Sequence, residues 1–213
     1  MVDDKATTYE QMQLSDDLIK GIYANGFDDP AVIIQRGIIP ILNGSQVVIQ
    51  VRPSISIAAA ISIAALQTAK TDLAKCQVLI LSADRESAAR ILDNVNGIGK
   101  FMDVKTLGLM GGSPVANDIA GLAKSPQIVV GTPARVSNMT GQGALDIGSL
   151  KLLILDQVDE MFKAGVIDTV KEISLNAPNS VQNFLFSATL DGEIEGFIKE
   201  MLTDPVRISV SSA

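Results

Sequence analysis

Short apolar, β-branched runs alternate with helical patterns from about residue 46 to the end of the chain, and this alternation limits the possible folds more than any other feature. It is the order of stacked βαβ units. The spacing predicts strands at 46–51, 77–82, 104–110, 127–131, 151–156, 183–187 and 206–210. The inner residues of QVLILS and KLLILD form continuous apolar runs rather than alternating, which places them centrally in a parallel sheet covered on both faces. Helices are predicted near 54–70, 85–96, 114–124, 133–140, 166–176 and 190–203, with two more near 15–25 and 31–42 ahead of the first strand. Asn25-Gly26 and a turn through Asp28-Asp29-Pro30 join those two. No repeat, linker or low-complexity tract interrupts the pattern. The expectation is one domain over 1–213, with a helical element at 1–45, a sheet core at 46–210 and a short Ser-Ser-Ala tail.

Composition narrows the chemistry. Hydrophobic residues make up 47%, ample for a core, while aromatics are 4% and tryptophan is absent, so aliphatic packing of parallel strands under helices is expected. With no histidine and a single cysteine, Cys76, the chain can build no histidine triad, none of the common zinc sets and no internal disulfide. Seventeen Lys and Arg against 24 Asp and Glu give a net charge of −7, so no overall field draws in nucleic acid or an acidic membrane, and any RNA contact must be local. No DNA specificity is expected. The polar start MVDDKATTYEQ lacks an apolar signal segment, from which a cytoplasmic or nuclear, unsecreted protein is expected. Seventeen uncharged residues from Pro53 to Ala69 touch the lower length limit of a membrane span. Ser54, Ser56, Ser62, Gln67 and Thr68 within them favour a buried helix.

In an open parallel sheet, ligands bind where strands run out into helices. The segments to inspect are therefore 51–58, 82–87, 111–114, 131–135, 156–159 and 187–189. Around them stand Tyr9-Glu-Gln-Met12-Gln-Leu14, Gly26-Phe27-Asp-Asp-Pro30, Gly111-Gly112, Val130-Gly131-Thr132-Pro133, Leu155-Asp156 with Asp159-Glu160-Met161, Phe186-Ser187-Ala188-Thr189 and Asp204-Pro205-Val206. In that order, from about Tyr9 to Val210, they resemble the motifs of the first RecA-like domain of the DEAD-box RNA helicases, most closely the group of eukaryotic translation initiation factor 4A. The resemblance implies an α/β fold of RecA-like, P-loop NTPase type: three layers around a mostly parallel sheet of about seven strands. The first 45 residues are then similar to the family's Q-motif region.

The departures carry the functional reading. Where the family has AxxGxGKT, a glycine-rich loop that cradles phosphates with a lysine and a magnesium-linked threonine, this chain reads Val51-Arg52-Pro53-Ser54-Ile55-Ser56-Ile57-Ala58. Both turn glycines have become serine, the lysine is Ile57 and the hydroxyl is Ala58. A phosphate desolvated there without its cation costs several kcal/mol. The glutamate of DEAD is Gln157, whose amide cannot accept a proton from an attacking water. Ile34 stands where the family reads adenine with glutamine, and the adjacent Gln35 matches the family's next position. Tyr9, Ile34, Arg52, Ser54, Ser56, Ile57 and Ala58 thus form a degenerate nucleotide site, and Asp156, Gln157 and Asp159 a degenerate catalytic one. ATP and magnesium serve the family; here no cofactor and no metal are expected.

The motifs that face RNA in the family are less altered. Ala83-Asp84-Arg85-Glu86-Ser87-Ala88 replaces PTRELA, keeping Arg85 but setting a carboxylate at the phosphate-facing threonine. Arg85, Gly111, Gly112, Thr132 and Arg135 are candidates for a few backbone-phosphate contacts, opposed by Asp84. Family members grip RNA between two such domains, so this one implies weak, salt-sensitive binding. Each feature also has a plainer reading. Arg52, Ser54 and Ser56 are either a rewired anion site or an ordinary capped helix start. Asp156 and Asp159 either coordinate a cation or, as favoured, are framework acids bonding neighbouring loops, and Ser187 and Thr189, which relay nucleotide state to RNA in the family, read more plainly as caps of a helix beginning near Leu190. Gly97-Ile-Gly99-Lys100 follows a helix and precedes a strand, which makes it a C-cap and turn rather than a phosphate loop. Cys76 reads as a small inert side chain.

The leading expectation is a pseudo-ATPase: a helicase-like domain that is no longer an enzyme and docks an unidentified protein partner, with weak RNA contact. The rivals are a working ATP-dependent RNA helicase domain of the initiation-factor-4A type and a fold-directed redesign with no native activity. Redesign and natural decay alike preserve a framework while altering its chemical residues.

Overall fold

The computed structural model describes residues 6–52 and 54–210, so Pro53, the start of the N-terminus and the Ser-Ser-Ala tail lie outside the described residues. In chain order the elements are α1 (Asp16–Ala24), α2 (Val32–Leu42), β1 (Val47–Val51), α3 (Ile55–Thr68), β2 (Val78–Ser82), α4 (Arg85–Ile98), β3 (Thr106–Leu109), α5 (Val115–Leu122), β4 (Ile128–Gly131), α6 (Pro133–Gly141), β5 (Leu152–Asp156), α7 (Val158–Lys163), α8 (Ile167–Leu175), β6 (Gln182–Ser187), α9 (Gly192–Met201) and β7 (Val206–Val210). The strands form one sheet in the order β3-β4-β2-β5-β6-β1-β7, and every pairing is parallel.

Alternate strand residues feed two apolar layers. Ile49, Ile80, Val130, Ile154 and Phe184 face the layer built with α1 to α4. Val48, Leu79, Val129, Leu153 and Leu185 face the other, shared with α6 to α9. Burial on both sides explains why these strands carry continuous apolar runs. The uncharged stretch after Arg52 becomes α3, whose Ala59, Ala60, Ile61, Ile63, Ala64 and Ala65 are completely buried. Each such isoleucine contributes about 1.5–3 kcal/mol relative to exposure. Small alanines let α3 lie close to α2 and α4, its main helical neighbours. Among the described residues, no helix is long and apolar enough to cross a membrane.

Two departures from the predicted elements have local causes. The third strand is shorter than 104–110 because the Lys105 N–H donates to Gln127 Oε1 at 2.8 Å instead of to a neighbouring strand. The short helix α7 escapes the sequence pattern. It starts from Gln157 in the left-handed region (φ 62°, ψ 56°) and is separated from α8 by Gly165 at φ +68°. At the glycine-lysine decoy, α4 runs to Ile98 and a 3-10 turn follows over Gly99–Phe101, as a C-cap and turn require.

Candidate functional site

Parallel alignment carries the ends of β1, β2, β5 and β6 to the same edge of the sheet. From β1 the chain passes the exposed Arg52 to Ser54, which holds an extended conformation at the head of α3. Ser54 occupies the N-cap position, yet its side chain makes no capping hydrogen bond; the Ile57 N–H instead donates to the Ser54 carbonyl at 3.2 Å. One turn on, Ile57 and Ala58 are buried at 6% and 5% exposure. With Ser54 and Ile61 they form one wall of a cavity of about 290 Å³. Asp156 and Gln157 from the end of β5, and Arg90 and Ile91 from α4, form the opposite walls.

Of the sequence-predicted residues, Ser54, Ile57, Ala58, Asp156 and Gln157 thus meet across this cavity, while Arg52, Ser56 and Asp159 are not among its lining residues. Tyr9 and Ile34 sit in the core at 0% and 1% exposure, away from the cavity walls. The Tyr9 ring packs edge-on against Tyr23 at 5.7 Å, and burial, then Tyr23 and nearby aspartates, push its phenol up to about 12. Gln35 closes the turn into α2 by donating to the Pro30 carbonyl at 2.8 Å. A larger cavity of about 540 Å³, lined by Thr140, Asp146, Glu172 and Asn176 among others, contains none of the predicted site residues.

Asp156 is the most perturbed acid of the site. It is 4% exposed, and burial pushes its carboxyl from 3.8 up to about 6, against hydrogen bonds that favour ionisation. Its Oδ2 accepts from Ser82 Oγ at 3.3 Å and from Gln157 Nε2 at 3.2 Å. The same Gln157 amide donates to Ser87 Oγ at 2.8 Å. Ser87 Oγ also accepts from Arg90 Nη2 at 3.1 Å and donates to Asp84 Oδ2 at 3.0 Å. One hydroxyl donor and two acceptor lone pairs are thereby used, as are both hydrogens of the Gln157 amide. A glutamate at 157 has no hydrogens to give either partner, so the amide suits this network on structural grounds alone.

Asp84 is the N-cap of α4, accepting from the Ser87 N–H at 2.9 Å. Although partial burial opposes it, the hydrogen bonds from Ser87 hold its carboxyl below the usual range. The carboxylate expected to oppose an RNA strand is therefore engaged in capping. Aspartate ahead of a helix is itself a cap signal that the sequence carries.

Asp159 ties the β5 loop to the end of β6. Its Oδ1 accepts from the Ala188 N–H at 3.2 Å and lies 3.1 Å from Ser187 Oγ, whose hydroxyl also lies 2.7 Å from the Thr189 carbonyl oxygen. This agrees with a framework role for both acids. The expected capping role of Ser187 and Thr189 does not hold: Asp191 caps α9, accepting from the Glu193 and Ile194 N–H groups. Thr189 is exposed and Ser187 is buried by the contact to Asp159.

The candidates for RNA contact cluster on the neighbouring loops, but they are mutually engaged. Gly111 and Gly112 take φ of +75° and +79°, and a Cβ on Gly112 would collide with the Arg85 guanidinium. Arg135 Nε pairs with Asp118 Oδ2 at 3.1 Å, and Arg135 Nη2 donates to the Ser113 carbonyl at 2.6 Å. Their side chains are 14% and 7% exposed, so Arg135 clasps the glycine loop rather than standing free in solvent. Thr132, half-buried at the head of α6, makes no side-chain cap. Ser82, Ser87, Arg90 and Asp118 were not foreseen as site residues. Ser82 and Ser87 bound the 82–87 segment at a strand end and a first helical turn, whereas nothing in the sequence pattern marked Arg90. Cys76 is buried just ahead of β2, its thiol pushed up to about 12 by burial, which agrees with an inert side chain.

With this geometry in hand, comparison with known proteins gives a consistent result. The family profile described as DEAD/DEAH box helicase matches residues 33–197. An ATP-dependent RNA helicase eIF4A of Coccidioides immitis (strain RS) is 38% identical over 211 residues, covering 99% of this chain and 53% of that protein. The chain spans about half the length of the curated relatives it matches. A crystal structure of a DEAD box protein from the hyperthermophile Methanococcus jannaschii superposes with a TM-score of 0.92 at 28% identity, covering 97% of this chain and 56% of that one. A variant of S. cerevisiae Dbp5 bound to a Gle1 variant and IP6 superposes with a TM-score of 0.89 at 25% identity, covering 97% and 53%.

Proposed function

Because the chain belongs to the DEAD/DEAH box helicase family, and within it lies close to the eIF4A helicases, we propose that it is a helicase domain of this type that has lost its nucleotide cycle and acts by binding. The observation that carries the proposal is Ile57. It stands where the resemblance places the phosphate-binding lysine, and it is buried in the wall of the cavity where the phosphates belong. ATP with magnesium does not suit this cavity. Ile57, Ala58, Ile61 and Ile91 present hydrocarbon where a phosphate needs a cation and hydrogen-bond donors. Gln157 adds to this, since its amide hydrogens are spent on Ser87 and Asp156 and it offers no base for an attacking water.

The binding role then falls to the outer surface. Protein docking is favoured by analogy with Dbp5, whose structure includes a bound protein partner. RNA contact is confined to the loops around Arg85, Gly112 and Arg135, where both cations are already engaged, Arg135 with Asp118 and the Ser113 carbonyl and Arg85 against Gly112. Weak, strongly salt-dependent affinity follows.

Titration with ATP or a non-hydrolysable analogue in the presence of magnesium tests the reading, paired with a phosphate-release assay with and without single-stranded RNA. No saturable nucleotide binding and no RNA-stimulated phosphate release are expected. Measurable affinity together with phosphate release would establish the competing reading, an ATP-dependent RNA helicase domain like the relatives at 38% identity.

A further inference from the structure

Two kinds of surface line the cavity between α3, α4 and the end of β5. Ile57, Ala58 and Ile61 from α3 and Ile91 from α4 supply hydrocarbon. The polar remainder is Ser54, Arg90, Asp156 and Gln157, so the charged lining is one guanidinium against one carboxylate. Their charges cancel. Asp84 also acts on Asp156, but it does not line the cavity and is engaged as the cap of α4. An added ion of either sign therefore leaves an uncompensated charge among aliphatic side chains, which is costly.

The polar groups differ in the hydrogen bonds they still have open. Asp156 Oδ2 accepts from Ser82 and Gln157, and both hydrogens of the Gln157 amide are in use. Arg90 carries five N–H donors, and among the described residues its one hydrogen bond runs from Nη2 to Ser87 Oγ at 3.1 Å. The largest open capacity on the lining is thus the donor set of Arg90. A mostly apolar cavity with a few polar groups is the usual make-up of a small-molecule site. Its volume of about 290 Å³ lies at the small end for such sites, which run from roughly 300 to 1,000 Å³.

We propose that this cavity binds a small uncharged carbonyl compound, an amide or ketone with one aliphatic ring, its oxygen accepting from Arg90 and its body lying against Ile57, Ile61 and Ile91. The inference rests on the loss of the triphosphate site argued above, and it names a different ligand class for the same pocket. A carbonyl oxygen uses the open donors without adding a charge. The isoleucines that exclude phosphate pack against the hydrocarbon.

The test uses the unaltered chain with isotope-labelled isoleucine methyls, at about pH 7.5 where Asp156 is ionised, and ε-caprolactam as probe. Saturable shifts centred on the methyls of Ile57, Ile61 and Ile91 are expected. Cyclohexanecarboxylate and cyclohexylammonium, similar in bulk but charged, are each expected to bind about tenfold more weakly or worse. The lactam is expected to lose about tenfold in affinity for an Arg90→Met variant, which keeps an aliphatic stem and removes the donors. Either ion binding as tightly as the lactam, unchanged affinity of Arg90→Met, shifts centred elsewhere, or no saturable shift would overturn the proposal. If Arg90→Met does not fold, the comparison of probes on the unaltered chain decides alone. A parallel titration with ATP and magnesium separates the two readings. Nucleotide binding at these methyls would overturn the loss of the triphosphate site, whereas silence toward nucleotide and lactam alike would overturn only the present inference.

Discussion

The Gln157 side-chain amide donates to the Ser87 hydroxyl at 2.8 Å, joining the loop after β5 to the first turn of α4 across 70 residues of sequence. Ser87 is 4% exposed and is the point where Gln157, Arg90 and Asp84 converge. Ser87→Ala removes the shared partner of all three. It is expected to destabilise the fold by about 1–3 kcal/mol, read as a lowered urea midpoint at unchanged slope.

Burial of Asp156 has the opposite pH signature to a salt-bridged acid. Its folded carboxyl titrates at about 6 against 3.8 for the ordinary group, so between these values the folded state holds more protons than the unfolded chain. The contribution is fully present below about pH 3.8 and is lost as pH rises through about 6. Asp156 alone therefore removes up to about 3 kcal/mol across that window. Comparing urea midpoints of the unaltered chain and Asp156→Asn at pH 4 and pH 7.5 isolates it from other carboxylates. The variant is expected to gain stability relative to the unaltered chain as pH rises, and a constant difference would refute the assignment.

Asp118 and Arg135 form the best-buried ion pair of the described residues, and through the Ser113 carbonyl they fasten the Gly111–Gly112 loop. Asp118→Asn leaves a largely buried guanidinium short of its counter-charge, at a cost of about 2 kcal/mol. Faster amide hydrogen exchange over residues 111–118 is expected, along with a coupling energy of about 0.5–3 kcal/mol in a double-mutant cycle with Arg135→Gln. Full additivity would show that the pair acts independently.

The Tyr9 hydroxyl is fully buried and has no hydrogen-bond partner among the described residues. Tyr9→Phe removes an unsatisfied polar group and keeps the ring contact with Tyr23. A gain of about 1 kcal/mol in chemical denaturation is expected, and a loss of that size would reveal a partner for the hydroxyl.

Much of the architecture was legible because burial on both faces leaves its mark in local composition. The runs around 78–82 and 152–156 are central strands with both faces covered, and the uncharged stretch after Arg52 is a buried helix. The site was legible only in outline. Motif order located Ile57, Ala58, Asp156 and Gln157 at one sheet edge, and the structure brings them around one cavity. Tyr9 and Ile34, grouped with them by resemblance, lie in the core instead, since a motif alignment records position along the chain and not which way a side chain is buried.

What the sequence by itself determined is the class of fold and the order of its motifs along the chain, with the identity of the residue at each motif position. Apolar periodicity is a local property, and a substitution is visible wherever its neighbours in the motif survive. Only the tertiary structure decided what those residues do now. It is the folding of β2, β5 and α4 together that joins the Gln157 amide to Ser87 and raises the titration of Asp156, and the meeting of α5 with α6 that locks Arg135 to Asp118. Each of these depends on distances between residues far apart in the chain and on the exclusion of water around them, neither of which is written in any short stretch of sequence.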